Sequence, residues 1–161
     1  MVREVLQLGN PQLYEACEPI RQREVHSLTQ TVEDLHDTLC AFRRQYGAGR
    51  AIAAPQIGLK KRLIYMYIEQ PVVFINPVLE FLSDEKMVVL DDCMSFPELL
   101  VKVKRYKRCR ISYLDLDWQE HTLDLEGDLA ELLQHEYDHL DGILATMRAI
   151  DKRSFFLKRS L

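Results

Sequence analysis

The chain has 161 residues, 47% hydrophobic and 29% charged, with a formal net charge of −4. This fits a single domain spanning 1–161 with ample apolar content for a core; no stretch approaches the roughly 18 apolar residues of a membrane span, and the negative balance gives no electrostatic reason to expect direct DNA binding. Cys17, Cys40, Cys93 and Cys109 are scattered without a CxxC pair, the usage of a reducing cytosol rather than of a disulfide framework.

In chain order, Met1-Val2-Arg3-Glu4 alternates apolar and charged residues and lacks a signal peptide's apolar stretch. The expected location is therefore cytoplasmic and bacterial in type, with a processed organellar or phage-encoded protein equally compatible. Asn10-Pro11 predicts a short helical turn reaching about Cys17. Leu28, Val32, Leu35, Leu39 and Phe42 recur at spacings of three and four, which predicts an amphipathic helix from Leu28 to Tyr46, opened by Ser27 and closed before Gly47. The period then changes. Arg62 to Ile68, and Val72 to Ile75 stopped at Asn76-Pro77, read as strands. So do Val78 to Leu82, Met87 to Leu90, Leu100 to Val103, Cys109 to Leu116 and His121 to Leu125. Between these lies a basic stretch, Lys102 to Arg110, whose charges alternate with Val101, Val103, Tyr106 and Ile111, as on the polar side of strands. A helical period returns after Gly127 through Leu140, with Gly142 as its stop, and Phe155-Phe156-Leu157 suggests a last short helix. Helix, strands, helix predicts an α+β fold with antiparallel strands.

The C-terminal helix reads Gln134-His135-Glu136-Tyr137-Asp138-His139, an HExxH pattern. On an α-helix the two histidines are roughly 40° apart around the axis, so both imidazoles reach one metal ion. Glu136 stands beside them, where it can handle the proton of a metal-bound water. A surface helix with two solvated histidines is the competing reading. A third ligand and an oxyanion donor elsewhere in the chain decide between the two.

Two further segments bear on this: Gly49-Arg50-Ala51-Ile52-Ala53-Ala54-Pro55-Gln56-Ile57-Gly58 and Asp91-Asp92-Cys93-Met94-Ser95. With the HExxH helix, in this order and at these separations, they resemble the peptide deformylase family over nearly the whole chain. The resemblance implies antiparallel strands packed around a C-terminal metal-binding helix, with the amphipathic helix near the N-terminus. It implies Cys93 as the third ligand, a thiolate beside His135 and His139, leaving a position open for water. It also implies that the Gln56 amide and the Met94 N–H receive the oxyanion while Glu136 transfers the proton. The implied reaction removes the formyl group from an N-formyl-methionyl peptide or nascent chain, giving formate and a free N-terminus. The implied cofactor is one divalent ion, Fe2+ physiologically, with Zn2+, Ni2+ or Co2+ also fitting. Asp138, Gln134 and Arg105 are candidates for supporting the ligands; Asp138 has a surface role as its alternative, and Arg105 one more charge in the basic stretch.

Departures from the family pattern cluster at the expected substrate site, near Arg50, Ala51, Ile52 and Asp92. Ala51 and Asp92 replace glycines, Asp91 replaces Glu, and Leu100 stands where an arginine is usual. Arg50, Asp128 and Glu131 occupy positions that are usually apolar. Asp128 and Glu131 lie within about 40° of His135 on the helix, so with Arg50 they would make a polar pocket poorly suited to methionine. Capping at the helix start, facing solvent, accounts for both acids as well. Two alternatives accompany the deformylase expectation: a zincin-type endopeptidase, and a deformylase-like protein that binds metal or peptide without turnover. Lys152, Arg153, Lys158 and Arg159 in the tail are open to transient ribosome contact or to simple solvation.

Overall fold

A computed structural model describes residues 1–161. The architecture is α+β, with two antiparallel sheets and two long helices. The first helix, α1, runs Thr29–Tyr46 directly after a 3₁₀ helix, Gln22–Leu28. Ser27 does not cap it: the hydroxyl donates to the Glu24 carbonyl at 2.6 Å, inside the 3₁₀ segment. Gly47 ends α1 in the left-handed conformation, φ 69°, its N–H returning to the Arg43 carbonyl.

Five strands form the larger sheet: β1 (Ala51–Ala53), β2 (Leu63–Tyr67), β3 (Pro71–Phe81), β6 (Arg108–Leu114) and β7 (Glu120–Glu126), paired in the order β1-β2-β3-β6-β7. The smaller sheet holds β4 (Lys86–Asp91), β5 (Leu99–Tyr106) and β8 (Phe155–Leu157), with β5 central. Two predicted boundaries change. The strands expected on either side of Asn76-Pro77 are one strand, β3, with a shift of register between Ile75 and Val78. Asn76 takes φ 49° there, and its side chain exchanges two 2.8 Å hydrogen bonds with the Ile20 backbone. A bulge absorbs the proline because no ladder bond needs its nitrogen. Phe155 to Leu157 is a strand and not a helix, because it pairs with Leu99 to Val101 on the open side of β5.

The second helix, α2 (Asp128–Leu140), covers one face of the larger sheet, and α1 covers the other. Strand alternation sorts the contacts: Leu63 and Tyr65 of β2 pack with Leu35 and Leu39 of α1, while Ile64 packs with Ala130 and Leu133 of α2. A smaller cluster of Cys93, Phe96, Val101, Val103 and Ala145 lies at the smaller sheet. The loop after β4 packs on the smaller sheet through Cys93 and Phe96.

Asp141 takes the cap position of α2, and Gly142 follows at φ 73°. A Cβ at Gly142 would lie 2.6 Å from the backbone C and O of Tyr14. Gly142→Ala combines left-handed strain of about 1–2 kcal/mol with overpacking of about 1–3 kcal/mol. Urea denaturation should show at least about 2 kcal/mol of lost stability; an unchanged midpoint would contradict the contact.

Candidate metal centre and its cavity

Helix α2 is amphipathic, yet four of its polar residues, His135, Glu136, Asp138 and His139, are buried. His135 and His139 lie one turn apart with ring centroids separated by 5.0 Å. Cys93 comes from the loop after β4, closed by a turn in which the Phe96 N–H reaches the Cys93 carbonyl at 3.0 Å. Its sulfur lies 3.3 Å from His139 Nε2 and 3.5 Å from the Ser95 N–H. The donor atoms of Cys93, His135 and His139 all fall within 4.8 Å of one another.

Gln56 reaches this loop from the 3₁₀ turn Ala54–Ile57 that follows β1. Its Oε1 accepts from the Ala53 N–H at 2.9 Å, which fixes the amide's orientation. Nε2 then points at Ser95 Oγ, 3.1 Å away, and at the Cys93 sulfur, 3.5 Å away. The Met94 N–H donates to no other backbone group. An N-terminal strap holds both loops: the Leu6 N–H bonds the Gln56 carbonyl, the Leu8 N–H bonds the Ser95 carbonyl, and Gln7 Nε2 bonds the Met94 carbonyl.

Behind the histidines runs a buried ionic chain. Asp91 Oδ1 lies 3.0 Å from His135 Nδ1, close but off the line of a hydrogen bond. Asp91 Oδ2 accepts from Arg105 at 2.7 Å, and Arg105 donates equally closely to Asp138. Asp138 also receives Arg148 through two bonds, of 2.6 and 2.9 Å. Asp138 is thus not the carboxylate that orients a histidine; Asp91 faces His135, and Asp138 instead anchors the arginine. Gln134 clamps α2 to β5 through both its oxygen and its nitrogen on the Tyr106 backbone. Arg105 does not join the solvated side of its strand, because two carboxylates draw it inward.

The charges are set by burial and by this chain. Burial works to lower the pKa of His135, but Asp91 and Cys93 outweigh it and raise it well above its ordinary value. Burial works to raise Asp91, and His135 and Arg105 hold it down to about 2. Burial, with His135 beside it, lowers His139 well below its ordinary value. Burial pushes Glu136 up to about 7. A field that favours a proton on His135 equally favours a metal cation. Two nitrogens and one sulfur, buried beside carboxylates, fit a transition-metal ion in a site with three protein ligands.

A cavity of about 350 Å³ opens onto this centre, with Phe42, Arg50, Ala51, Asp92, Met94 and Glu131 among its walls alongside Cys93, His135 and Glu136. Arg50 donates to Glu131 at 3.2 Å and approaches Asp128 at 3.6 Å. The two acids separate here. The Glu131 side chain is 15% exposed and lines the cavity; that of Asp128 is 89% exposed and lies outside it. Gly127 is the N-cap, so Asp128 opens the helix in solvent and forms no capping box with Glu131. Ile52 is also off the cavity wall, fully buried against α1, because alternation along β1 turns it to that face. Ala51 and Asp92 keep negative φ, so the backbone itself does not call for glycine there. Lys158 approaches Asp92 at 3.5 Å. Sequence reasoning missed the Leu6 to Leu8 strap and Arg148, for which no motif gave a signal. It also passed over Asp91 as the histidine's partner, although its place two residues before Cys93 is a signal.

Three converging donors and an adjacent buried carboxylate are the equipment of a metal-dependent hydrolase. The sequence profile described as Polypeptide deformylase matches residues 2–155. Peptide deformylase 2 of Ralstonia nicotianae is 37% identical over 168 residues, covering 96% of this chain and 91% of that protein. Peptide deformylase of Thermotoga maritima is 31% identical, covering 95% and 90%. The crystal structure of a peptide deformylase from Thermotoga maritima superposes with a TM-score of 0.85 at 30% identity, over 94% of this chain and 99% of that one. One from Synechococcus elongatus in complex with actinonin gives 0.84 at 30% identity, over 93% and 80%. The chain belongs to the polypeptide deformylase family, whose members are metallo-hydrolases.

Arg105→Met would strip buried Asp91 of its hydrogen-bonding cation and leave Asp138 with Arg148 alone. It is expected to cost about 3–5 kcal/mol of stability, measured by chemical denaturation. A loss below about 1 kcal/mol would show that the ionic chain is not structural.

Proposed function

We propose that residues 1–161 form one catalytic domain that hydrolyses the N-terminal formyl amide of polypeptides, releasing formate and a free amino group. One observation carries this reading. Two nitrogen donors and a sulfur donor converge within 4.8 Å, beside a Glu136 carboxylate whose Oε2 has no protein partner, in a chain of the deformylase family. The substrate class is the N-formylated polypeptide, met in the cytoplasm of a bacterial-type cell.

Cys93, His135 and His139 would hold one divalent ion, with ferrous iron expected and zinc, nickel or cobalt suited to the same donors. Such an ion, when bound, polarises a carbonyl and brings the pKa of a water ligand toward neutrality. Glu136, with its carboxyl near 7, takes a proton from the attacking water and returns it to the leaving amine nitrogen; one group serves both steps at neutral pH. Gln56 and the Met94 N–H donate to the oxygen that gains charge as the formyl carbon becomes tetrahedral. One Nε2 hydrogen of Gln56 belongs to Ser95, and the other, directed at the Cys93 sulfur, is the one offered. Because Oε1 is committed to Ala53, the amide cannot turn its acceptor toward the oxyanion. Asp91, fixed by Arg105, keeps the His135 ring turned toward the centre.

The test is formate release by anaerobically prepared protein loaded with iron or nickel. Glu136→Ala should retain one metal per chain and lose about 10²–10⁴-fold in kcat. Cleavage of casein without formate release would overturn the reading in favour of an endopeptidase. In the same assay Gln56→Ala should lose about 10²–10³-fold in kcat with the metal retained; an unaltered kcat would remove Gln56 from the oxyanion site.

A further inference from the structure

The scissile bond joins the formyl carbon to the nitrogen of the first residue. That residue's side chain therefore begins two bonds from the scissile nitrogen, inside the cavity that opens onto the centre. One turn before His135 on α2 stands Glu131, on the wall of the same cavity as Glu136. Its side chain is only 15% exposed, and one oxygen meets Arg50 at 3.2 Å while the second bonds no protein group. Arg50 also approaches Asp128, outside the cavity, at 3.6 Å, and Lys158 approaches Asp92 at 3.5 Å. Glu136 lines the same cavity, buried and with Oε2 unpartnered.

An apolar side chain entering here would strip water from Glu131 and Arg50 and return no hydrogen bond, which is costly for a charged pair. An ammonium or guanidinium would instead meet the open oxygen of Glu131 in a charge-assisted hydrogen bond. We infer that Glu131, steadied by Arg50, selects a formylated residue with a cationic side chain, lysine or arginine, and disfavours methionine. The inference rests on the deformylase reading and names its first-residue preference.

The experiment measures formate release by the metal-loaded full chain from formyl-Xaa-Ala-Ser, with Xaa as Met, Leu, Gln, Glu, Lys or Arg. In parallel, calorimetry follows binding of formyl-Lys-Ala-Ser and formyl-Met-Ala-Ser to the slow E136A variant. Lys and Arg peptides are expected to exceed Met by at least tenfold in kcat/KM, with the same order in binding. E131L should reverse the ratio, and E131Q, which keeps the shape and guards against misfolding, should erode it mainly through KM. Best turnover on Met, Leu, Gln or Glu, or a Lys-to-Met ratio unchanged in E131L, overturns the inference alone. Silence across the panel with metal bound overturns the deformylase reading; tighter Lys binding in that case still supports the pocket's selectivity, and equal binding ends both.

Discussion

Arg105 is the residue through which the sheets, the helix and the centre hold one another. It is 3% exposed, lies on the central strand of the smaller sheet, and grips Asp91 on β4 and Asp138 on α2 at the same 2.7 Å. A buried cation with one carboxylate would be a doubtful source of stability. With two, and with Arg148 sharing the charge of Asp138 from the rim, both acids find partners. The result is geometric: β4, which leads to Cys93, and α2, which carries both histidines, cannot shift independently. Convergence of ligands from distant segments is otherwise expensive, because each loop must be ordered separately.

The same chain sets the electrostatics. Asp91 is ionised because Arg105 and His135 compensate its burial, and its charge in turn makes the His135 position attractive to a cation. Glu136 has only His135 Nε2 at 4.0 Å and the more distant Arg50, too little to offset its burial. Left in a desolvated wall, it keeps its proton to about neutral pH. Two acids 45 positions apart in sequence thus take opposite protonation behaviour from their neighbours, one ionised and the other holding its proton to about neutral pH.

Much of this centre was legible in the sequence because ligand spacing is local chemistry. HExxH works only at helical pitch, and Cys93 and Gln56 sit in short segments with a recognisable order. What escaped was decided across space. Asp138 and Asp91 are equally plausible histidine partners on paper; only the crossing of β5 over α2, which brings Arg105 between them, separates their roles. Asp128 and Glu131 share a helix face by periodicity, yet the helix starts at Asp128, so the first projects past the cavity and the second forms its wall. Asn76-Pro77 reads as a stop, and the strand continues because Ile20, far away in sequence, supplies the partners that the bulge needs. Phe155 to Leu157 carries no period long enough to distinguish helix from strand, and the free edge of β5 chose for it.

The strap of Leu6 to Leu8 has a consequence for the order in which the protein comes into being. Leu6 to Leu8 hold the Gln56 and Met94 loops, while both histidines lie in a helix whose last residue is Leu140. The strap and both loops precede the two imidazoles in the chain, so the Cys93 thiol is made before His135 and His139. An ion held by Cys93, His135 and His139 together would therefore secure the fold only once α2 has been made.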